Sequence, residues 1–474
     1  MLKTDKTLKQ SIKLRQFFTL SFGSIVGVGW IIVMGQWLRD GGPLGASLAF
    51  LAAGLLMATV GICFAKLAER YPVTGGAVAF SYEVFGPRAA FFTGWFMALC
   101  YMATCGFAVV STAWVIEALL PALRGPLLYE VLGSRVHGGT LAIGLVLLLV
   151  ITTSNIRGAG SAARLQDIIT YGLLTLGAIV VTVGLMRGSA QNLLPLMGSG
   201  TTTAAVWSGF FAVLATTPFF MSGFDVIPQA MGERHESVRL SSIGPIIVTA
   251  IVIAMIFYIA TIVGTAVLLP RHEIVGFDLP VAQAFERAFN TPLAGKLVLL
   301  CGLFGVLSGW NAHFYSGARV LYALGHARLL PDGFAATSSY GTPKVALLIV
   351  AIFSAVAALL GRGAILPIVN AYGAMMSSVF LAMALAAWRL QARGEIRFKR
   401  PLVGRLVILC AGFFSAAIVI VALVQGYLGR TQAIPSEWVI LVLWGAAGGI
   451  IWLRMRRHTS DAALAQNAAA MVNW

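Results

Sequence analysis

Charge is what this chain most lacks. Asp, Glu, Lys and Arg make up 11% of its 474 residues, and only 17 residues are acidic. That is under half the roughly 25% charged content of an average soluble domain, and beside 59% hydrophobic residues it excludes a soluble globular protein. Clustered nucleophiles, bases and metal ligands are missing as well. No HExxH, GxSxG or comparable constellation occurs, which argues against a membrane-embedded enzyme and leaves no cofactor or metal to expect. The five cysteines, Cys63, Cys100, Cys105, Cys301 and Cys410, fall in apolar stretches without forming a closely spaced quartet, and read as buried small hydrophobes. No small-residue cleavage site follows the basic amino-terminal tail. The first apolar stretch, which continues to Trp37, is therefore expected to remain as a span.

What is abundant is apolar sequence in lengths of about 20 residues, enough to cross a ~30 Å hydrocarbon core. Twelve such spans are predicted, over 16–38, 44–67, 89–120, 139–156, 165–186, 205–230, 243–269, 295–323, 344–361, 364–388, 403–427 and 437–454. The 33 Lys and Arg outnumber the acids, but their distribution is a topology signal and implies no nucleic-acid partner. With both termini in the cytoplasm, 24 of the 33 fall on the inner side, from Lys3 to Arg457, as the positive-inside bias requires. The expected location is the inner (cytoplasmic) membrane, with the lipid bilayer as partner.

Two of these spans are interrupted. Gly23-Ser24-Ile25-Val26-Gly27-Val28-Gly29 breaks the first, and Pro218-Phe219-Phe220-Met221-Ser222-Gly223-Phe224-Asp225 breaks the sixth. An interrupted helix leaves amides and carbonyls unpaired, which a membrane tolerates only where they line a cavity or meet a ligand. Paired breaks therefore mark a binding site for a small-molecule substrate. Pairing spans 1–5 with spans 6–10 puts an odd number of spans in each half, which forces the halves into opposite orientation. The expected fold is an all-α polytopic membrane protein of twelve transmembrane helices, a five-plus-five inverted repeat with broken helices 1 and 6.

The organisation that follows is a basic tail (1–14), a first repeat (15–200), a second repeat (201–400), spans 11 and 12 (401–457) and a poorly ordered tail (458–474). Turn-rich segments such as Arg39-Asp40-Gly41-Gly42-Pro43 and Gly232-Glu233-Arg234-His235-Glu236 separate helices rather than soluble domains. Between spans 7 and 8, Val281 to Phe289 is expected to form an amphipathic helix that caps an outer vestibule.

From about Leu14 to Pro401 the chain resembles the amino acid-polyamine-organocation transporter superfamily. The resemblance rests on the glycine motif of span 1 and on Leu67-Ala68-Glu69-Arg70-Tyr71-Pro72 with Gly75-Gly76 and Gly86. It extends through Asn155-Ile156-Arg157-Gly158 with Arg164-Leu165-Gln166-Asp167, then Gly223-Phe224-Asp225, and Arg319 with Leu330-Pro331 and Pro343. It implies that substrate is held between a bundle of spans 1, 2, 6 and 7 and a surrounding scaffold. By similarity to the amino acid transporters of the superfamily, the amides of Gly27, Val28 and Gly29 would hold a substrate carboxylate. The carbonyls of Ile25, Phe219 and Ser222 would face its ammonium.

Glycines at the first break permit close ligand approach, although glycine-mediated helix packing is the competing reading. Phe219, Phe220, Met221 and Phe224 are placed to shape a side-chain subsite, with plain packing as the alternative. Val28 and its apolar neighbours make the pocket neutral, which favours a small or medium apolar amino acid. An amine or polyamine carrier of the same fold would need more acid than Asp225 supplies.

Intramembrane ionisable groups are costly, which singles out Asp225 and His313 as candidates for coupling to protons, each set against a structural hydrogen-bonding role. Glu69 and Glu117 sit near helix ends, where salt bridges account for them. Some superfamily members carry a lysine in span 5 in place of a sodium ion, and the corresponding position here is Leu173. A sodium site would instead need a span 8 hydroxyl, for which Ser308 is the candidate. Proton symport and substrate exchange both stay open.

Overall fold

Where every neighbour is lipid or apolar side chain, backbone groups are best satisfied within a helix, and the chain is built accordingly. The computed structural model of the chain describes residues 10–198, 202–428 and 436–458. The amino-terminal nine residues and the carboxy-terminal tail beyond 458 lie outside them.

Helix α1 (Leu14–Ile25) begins where the Lys13 amide donates to the Gln16 side-chain oxygen at 2.8 Å. It stops at Val26, whose ψ of 90° is no longer helical. The chain resumes as α2 (Gly29–Ile32) and α3 (Met34–Asp40), then turns at Gly42, φ +67°, into α4 (Gly42–Arg70). The short α5 (Gly76–Phe85) lies between Gly75 and Gly86, and α6 (Pro87–Leu119) follows. Both glycines have positive φ, +72° and +88°, and a Cβ at Gly75 would lie 2.1 Å from that of Ala323. The glycines of this motif are thus a backbone requirement.

An exposed hairpin, β1 (Leu127–Val131) with β2 (Ser134–His137), links α6 to α7 (Gly138–Ile156). Its turn residues Leu132 and Gly133 both take positive φ, the geometry of a tight two-residue hairpin loop. A Leu-Gly turn is a weak signal, and nothing in the apolar pattern announces this element. Helix α8 (Ala159–Arg187) precedes α9 (Thr203–Met221) and the one-turn α10 (Val226–Gln229). Then come α11 (Ile243–Ala266), α12 (Arg271–Val275), α13 (Pro280–Phe289) and the long α14 (Pro292–His326). The chain ends with α15 (Lys344–Leu360), α16 (Ile365–Ala392), α17 (Pro401–Leu428) and α18 (Ser436–His458).

Among the described residues, eleven helical segments are long and apolar enough to cross a membrane, which makes this an all-α polytopic membrane protein. The span expected over 344–361 is the exception. Pro343 starts α15 and Gly361, φ +64°, ends it after 17 residues, about 26 Å at ~1.5 Å per residue. Cys410 also departs from expectation. It is exposed on α17, while the other four cysteines are buried thiols.

At the centre runs α14, with Trp310, Tyr315 and Arg319 fully buried. Its glycines at 302, 305 and 309 lie on one face and let it approach the first break closely. A Cβ at Gly305 would come within 2.6 Å of the Gly27 carbonyl oxygen, and one at Gly302 within 2.2 Å of Ile31. Nearly three turns beyond Gly309, Arg319 forms a fully buried ion pair with Glu233, 2.7 Å from Nε to Oε1. The Tyr315 hydroxyl donates to the same oxygen at 2.7 Å, and the guanidinium stacks 3.6 Å over the Tyr315 ring. The Glu233 backbone carbonyl accepts from the amides of Ser11 and Ile12, so the segment entering α1 is tied to the segment leaving α10.

Breaking a buried pair strands the remaining charge. Glu233→Gln is expected to cost about 3–5 kcal/mol of stability, read as a lowered melting temperature of detergent-purified protein. Replacing both Glu233 and Arg319 by Met should cost less than either single change. A loss in the double variant equal to the sum of the two single losses would mean that the pair is not coupled.

Candidate functional site at the paired helix breaks

The two interruptions meet. Gly223, φ +120°, lies so close to the first break that a Cβ there would be 2.7 Å from the Ser24 carbonyl carbon and 2.8 Å from the Ile25 nitrogen. No side chain fits. Inside α9, Pro218 withholds an amide from the helical ladder, and after Met221 the helix gives way to Ser222-Gly223-Phe224-Asp225. The Asp225 carboxylate satisfies part of what is freed, accepting from the Gly223 amide at 2.8 Å.

At the first break Gly27 is partly accessible while its neighbours Ile25, Val26, Val28 and Gly29 are buried. A Cβ on Gly27 would meet nothing within 4 Å, so open space adjoins this residue. The Val28 amide has no acceptor among the described hydrogen bonds, and the Gly27 amide faces the Tyr258 hydroxyl. That hydroxyl also donates to the Ile25 carbonyl at 3.0 Å. A phenol from α11 thus spans the break, and the Ile25 carbonyl already holds one donor. The Val28 side chain points to α14, where a Cβ on Gly302 would lie 3.3 Å from its Cγ2.

The aromatic residues divide by position. Phe220 covers Gly29, where an added Cβ would sit 2.2 Å from the ring, and its ring packs edge-on against Trp37 at 5.0 Å. Phe219 is partly accessible and ringed by Phe107, Phe220 and Tyr372 at 5.1 to 5.4 Å. Met221 and Phe224 are fully buried, and Phe224 stacks on Phe380, so both are packing residues. The Ser222 hydroxyl lies 2.6 Å from that of Tyr372 and also reaches the Phe219 carbonyl at 3.4 Å.

Asp225 is fully buried and has no cationic partner among the described residues. One oxygen accepts from the Tyr101 hydroxyl at 2.5 Å and the other from Gly223. His313 Nδ1 lies 2.7 Å from the Gly309 carbonyl. A carbonyl can only accept, so Nδ1 carries the proton, and Ser24 Oγ lies beside the ring, 3.2 Å from Nδ1 and 3.4 Å from Nε2. Tyr101 and His313 meet edge to face at 5.5 Å. Asp225, Tyr101, His313 and Ser24 therefore form a continuous row from the second break to the first, with α6 and α14 supplying its middle.

Ser308 is in a different cluster. Its hydroxyl accepts from the Gln166 amide nitrogen at 2.6 Å and lies 2.9 Å from the Thr170 hydroxyl. Gln166 also donates to the Thr19 carbonyl at 3.1 Å and accepts from Asn311 at 2.9 Å. The Ser308 hydroxyl is thus held between an uncharged amide and a second hydroxyl. Asp167 anchors α1 through Thr19 at 2.6 Å and Arg15 at 3.3 Å, which accounts for the Gln166-Asp167 part of the motif. Leu173 is fully buried. Glu69 pairs with Lys66, and Glu117 with Arg124 and Arg362, as residues near helix ends do.

The amphipathic segment expected over 281–289 forms as α13 and walls a cavity of about 720 Å³. Ile32 at the end of α2, Trp114 and Arg362 border the same space.

The contrast between two glycines provides a test. Gly27→Ala should leave the melting temperature nearly unchanged. Gly29→Ala must displace the Phe220 ring and should cost about 1–3 kcal/mol, as overpacking does. In combination with Phe220→Leu that cost should shrink; strictly additive melting shifts would reject the ring's placement on Gly29.

The chain is similar to several bacterial carriers. It is 24% identical over 466 residues to the methylthioribose transporter of Bacillus subtilis, covering 96% of this chain and 95% of that one. It is 23% identical over 363 residues, 75% of each chain, to the branched-chain amino acid permease BcaP of the same organism. Against the gamma-aminobutyric acid permease of Bacillus subtilis it is 22% identical over 463 residues, 95% of this chain and 94% of the relative. Residues 12–447 match the model of a family described as amino acid permease. With breaks, motifs and match in agreement, the chain belongs to the amino acid permease family of the amino acid-polyamine-organocation superfamily, and is a multi-pass membrane transporter rather than an enzyme.

Proposed function

We propose that this permease moves neutral, predominantly apolar amino acids across the inner membrane by alternating access, with both termini in the cytoplasm and spans 1–5 and 6–10 acting as inverted repeats. The observation that carries this reading is the open space beside Gly27, next to a Val28 amide that has no acceptor among the described hydrogen bonds. Amides of Gly27, Val28 and Gly29 suit a carboxylate. The second lone pair of the Ile25 carbonyl, with the carbonyls of Phe219 and Ser222, suits an ammonium. Phe219 and Phe220 suit an apolar side chain, in keeping with a relative that is a branched-chain amino acid permease.

The amine reading is less well supported. Asp225 is the acid at the breaks, and both its oxygens already hold donors. For coupling, the row of Asp225, Tyr101, His313 and Ser24 offers a proton a residence between the two breaks, while Ser308 is engaged by Gln166. Proton symport and exchange are the two modes this arrangement serves.

Ligands that bind the native state raise the melting temperature in proportion to the logarithm of concentration over affinity. Neutral apolar amino acids are expected to do so, with amines, polyamines and methylthioribose as the contrasting arms. A shift from amines alone, or from methylthioribose alone, would overturn the substrate assignment. In proteoliposomes Asp225→Asn should retain counterflow but lose uphill transport driven by a pH gradient. Uphill transport at the native rate would remove Asp225 from coupling.

A further inference from the structure

The link between α16 and α17 encloses a second kind of site. A cavity of about 500 Å³ is bounded by Trp388, Gln391, Ile396, Arg397, Phe398 and Arg405, and none of its lining residues is acidic. The link is folded against the helices. Ile396 is buried, the Phe398 ring packs where a Cβ on Gly404 would lie 2.4 Å away, and the Gln391 side chain donates to the Pro401 carbonyl at 3.4 Å. The neighbouring acid is turned elsewhere, since Glu395 pairs with Arg70 at 3.3 Å and Arg393 at 3.9 Å. Arg397 and Arg405 have no ion pair or hydrogen bond among the described residues. Two guanidinium groups therefore face a space that offers them no anion.

The surface leading away from this space is apolar. Leu402, Leu406, Leu409 and Phe413 recur at helical spacing along one face of α17 and are 70%, 53%, 54% and 78% exposed. On the adjoining helix Leu385 and Trp388 are exposed as well, and an exposed Trp beside a basic helix end is the signature of a membrane–water boundary. A basic pocket between spans, with an apolar stripe running from its mouth into the bilayer, has the shape and charge of one kind of ligand.

We propose that this cavity holds the phosphate of an anionic phospholipid, its acyl chains lying along the stripe from Leu402 to Phe413. Arginine suits the role because its planar fork gives a phosphate paired hydrogen bonds. A neutral or zwitterionic headgroup leaves the two guanidinium charges without a net counter-charge, so discrimination is by charge rather than chain.

The test uses purified full-length protein in neutral detergent, with thermal unfolding as the readout. Phosphatidylglycerol should raise the melting temperature more than phosphatidylcholine with the same acyl chains, and added salt should shrink the excess. Arg397→Gln with Arg405→Gln should abolish the excess while keeping the response to phosphatidylcholine, which reports that the variant is folded. Arg397→Lys with Arg405→Lys should keep part of it. Equal shifts from the two lipids, or a full excess in the Gln variant, would overturn the site. A full excess reproduced by inorganic phosphate or glycerol 3-phosphate would overturn the lipid as its occupant. Should the Gln variant fail to fold, native mass spectrometry of the unaltered protein in an equal mixture of the two lipids decides. Preferential retention of phosphatidylglycerol supports the site and equal retention rejects it.

Discussion

A peptide group inside a bilayer has to find its hydrogen-bond partner within the protein, since an unmet one costs several kcal/mol there. Two interrupted helices would be untenable here without local substitutes for the lost ladder, and the centre of the protein is arranged to supply them. Asp225 takes the Gly223 amide, and the Tyr258 hydroxyl donates to the Ile25 carbonyl at the first break. At the first break the Val28 and Gly29 amides have no acceptor among the described hydrogen bonds, and open space adjoins Gly27. Repair of the breaks is thus incomplete at the segment that the proposed site occupies.

Bringing the breaks together has a steric condition as well. Gly223 touches the Ser24-Ile25 backbone, and the glycines at 302, 305 and 309 let α14 lie along the other side of the same segment. Here glycine provides contact distance, with torsional freedom required only at Gly223. The packing reading of glycine in a membrane helix therefore holds for Gly29, Gly302 and Gly305, and open space is found at Gly27. Gly29 is covered by Phe220 and Gly305 by the Gly27 carbonyl, while Gly27 alone of the three faces open space.

The breaks were legible because Gly and Pro act locally, and so were the membrane class and the amphipathic α13. Their partners were not. Tyr101, Tyr258 and Tyr372 lie 124, 233 and 150 positions from the residues they bond, and in sequence each is one aromatic among many in an apolar run. Ser308 reads as a lone hydroxyl until Gln166, 142 positions away, is placed beside it. Cys410 looked buried because its span is apolar, but an apolar face in a membrane can point at lipid as readily as at protein. The β1–β2 hairpin escaped notice because its strands are short and its turn residue is leucine.

The contacts across the site differ in strength from those at the entrance of α1. At the breaks the joints are single hydrogen bonds between neutral groups, or from one neutral group to Asp225, and a typical one contributes about 0.5–1.5 kcal/mol net. At the entrance, Glu233 and Arg319 form a pair with no solvent exposure on either side, whose rupture costs several times more. Both ends cannot yield alike. A bundle that shifts against α14 can exchange the weak joints near Gly27 for substrate contacts of similar worth, but it cannot part Glu233 from Arg319 unless water or another charge reaches them. The ion pair and the Ile12 contacts tie the entrance of α1 to the segment after α10. The strongest polar contact on that side is therefore concentrated in one residue pair, remote from the paired helix breaks.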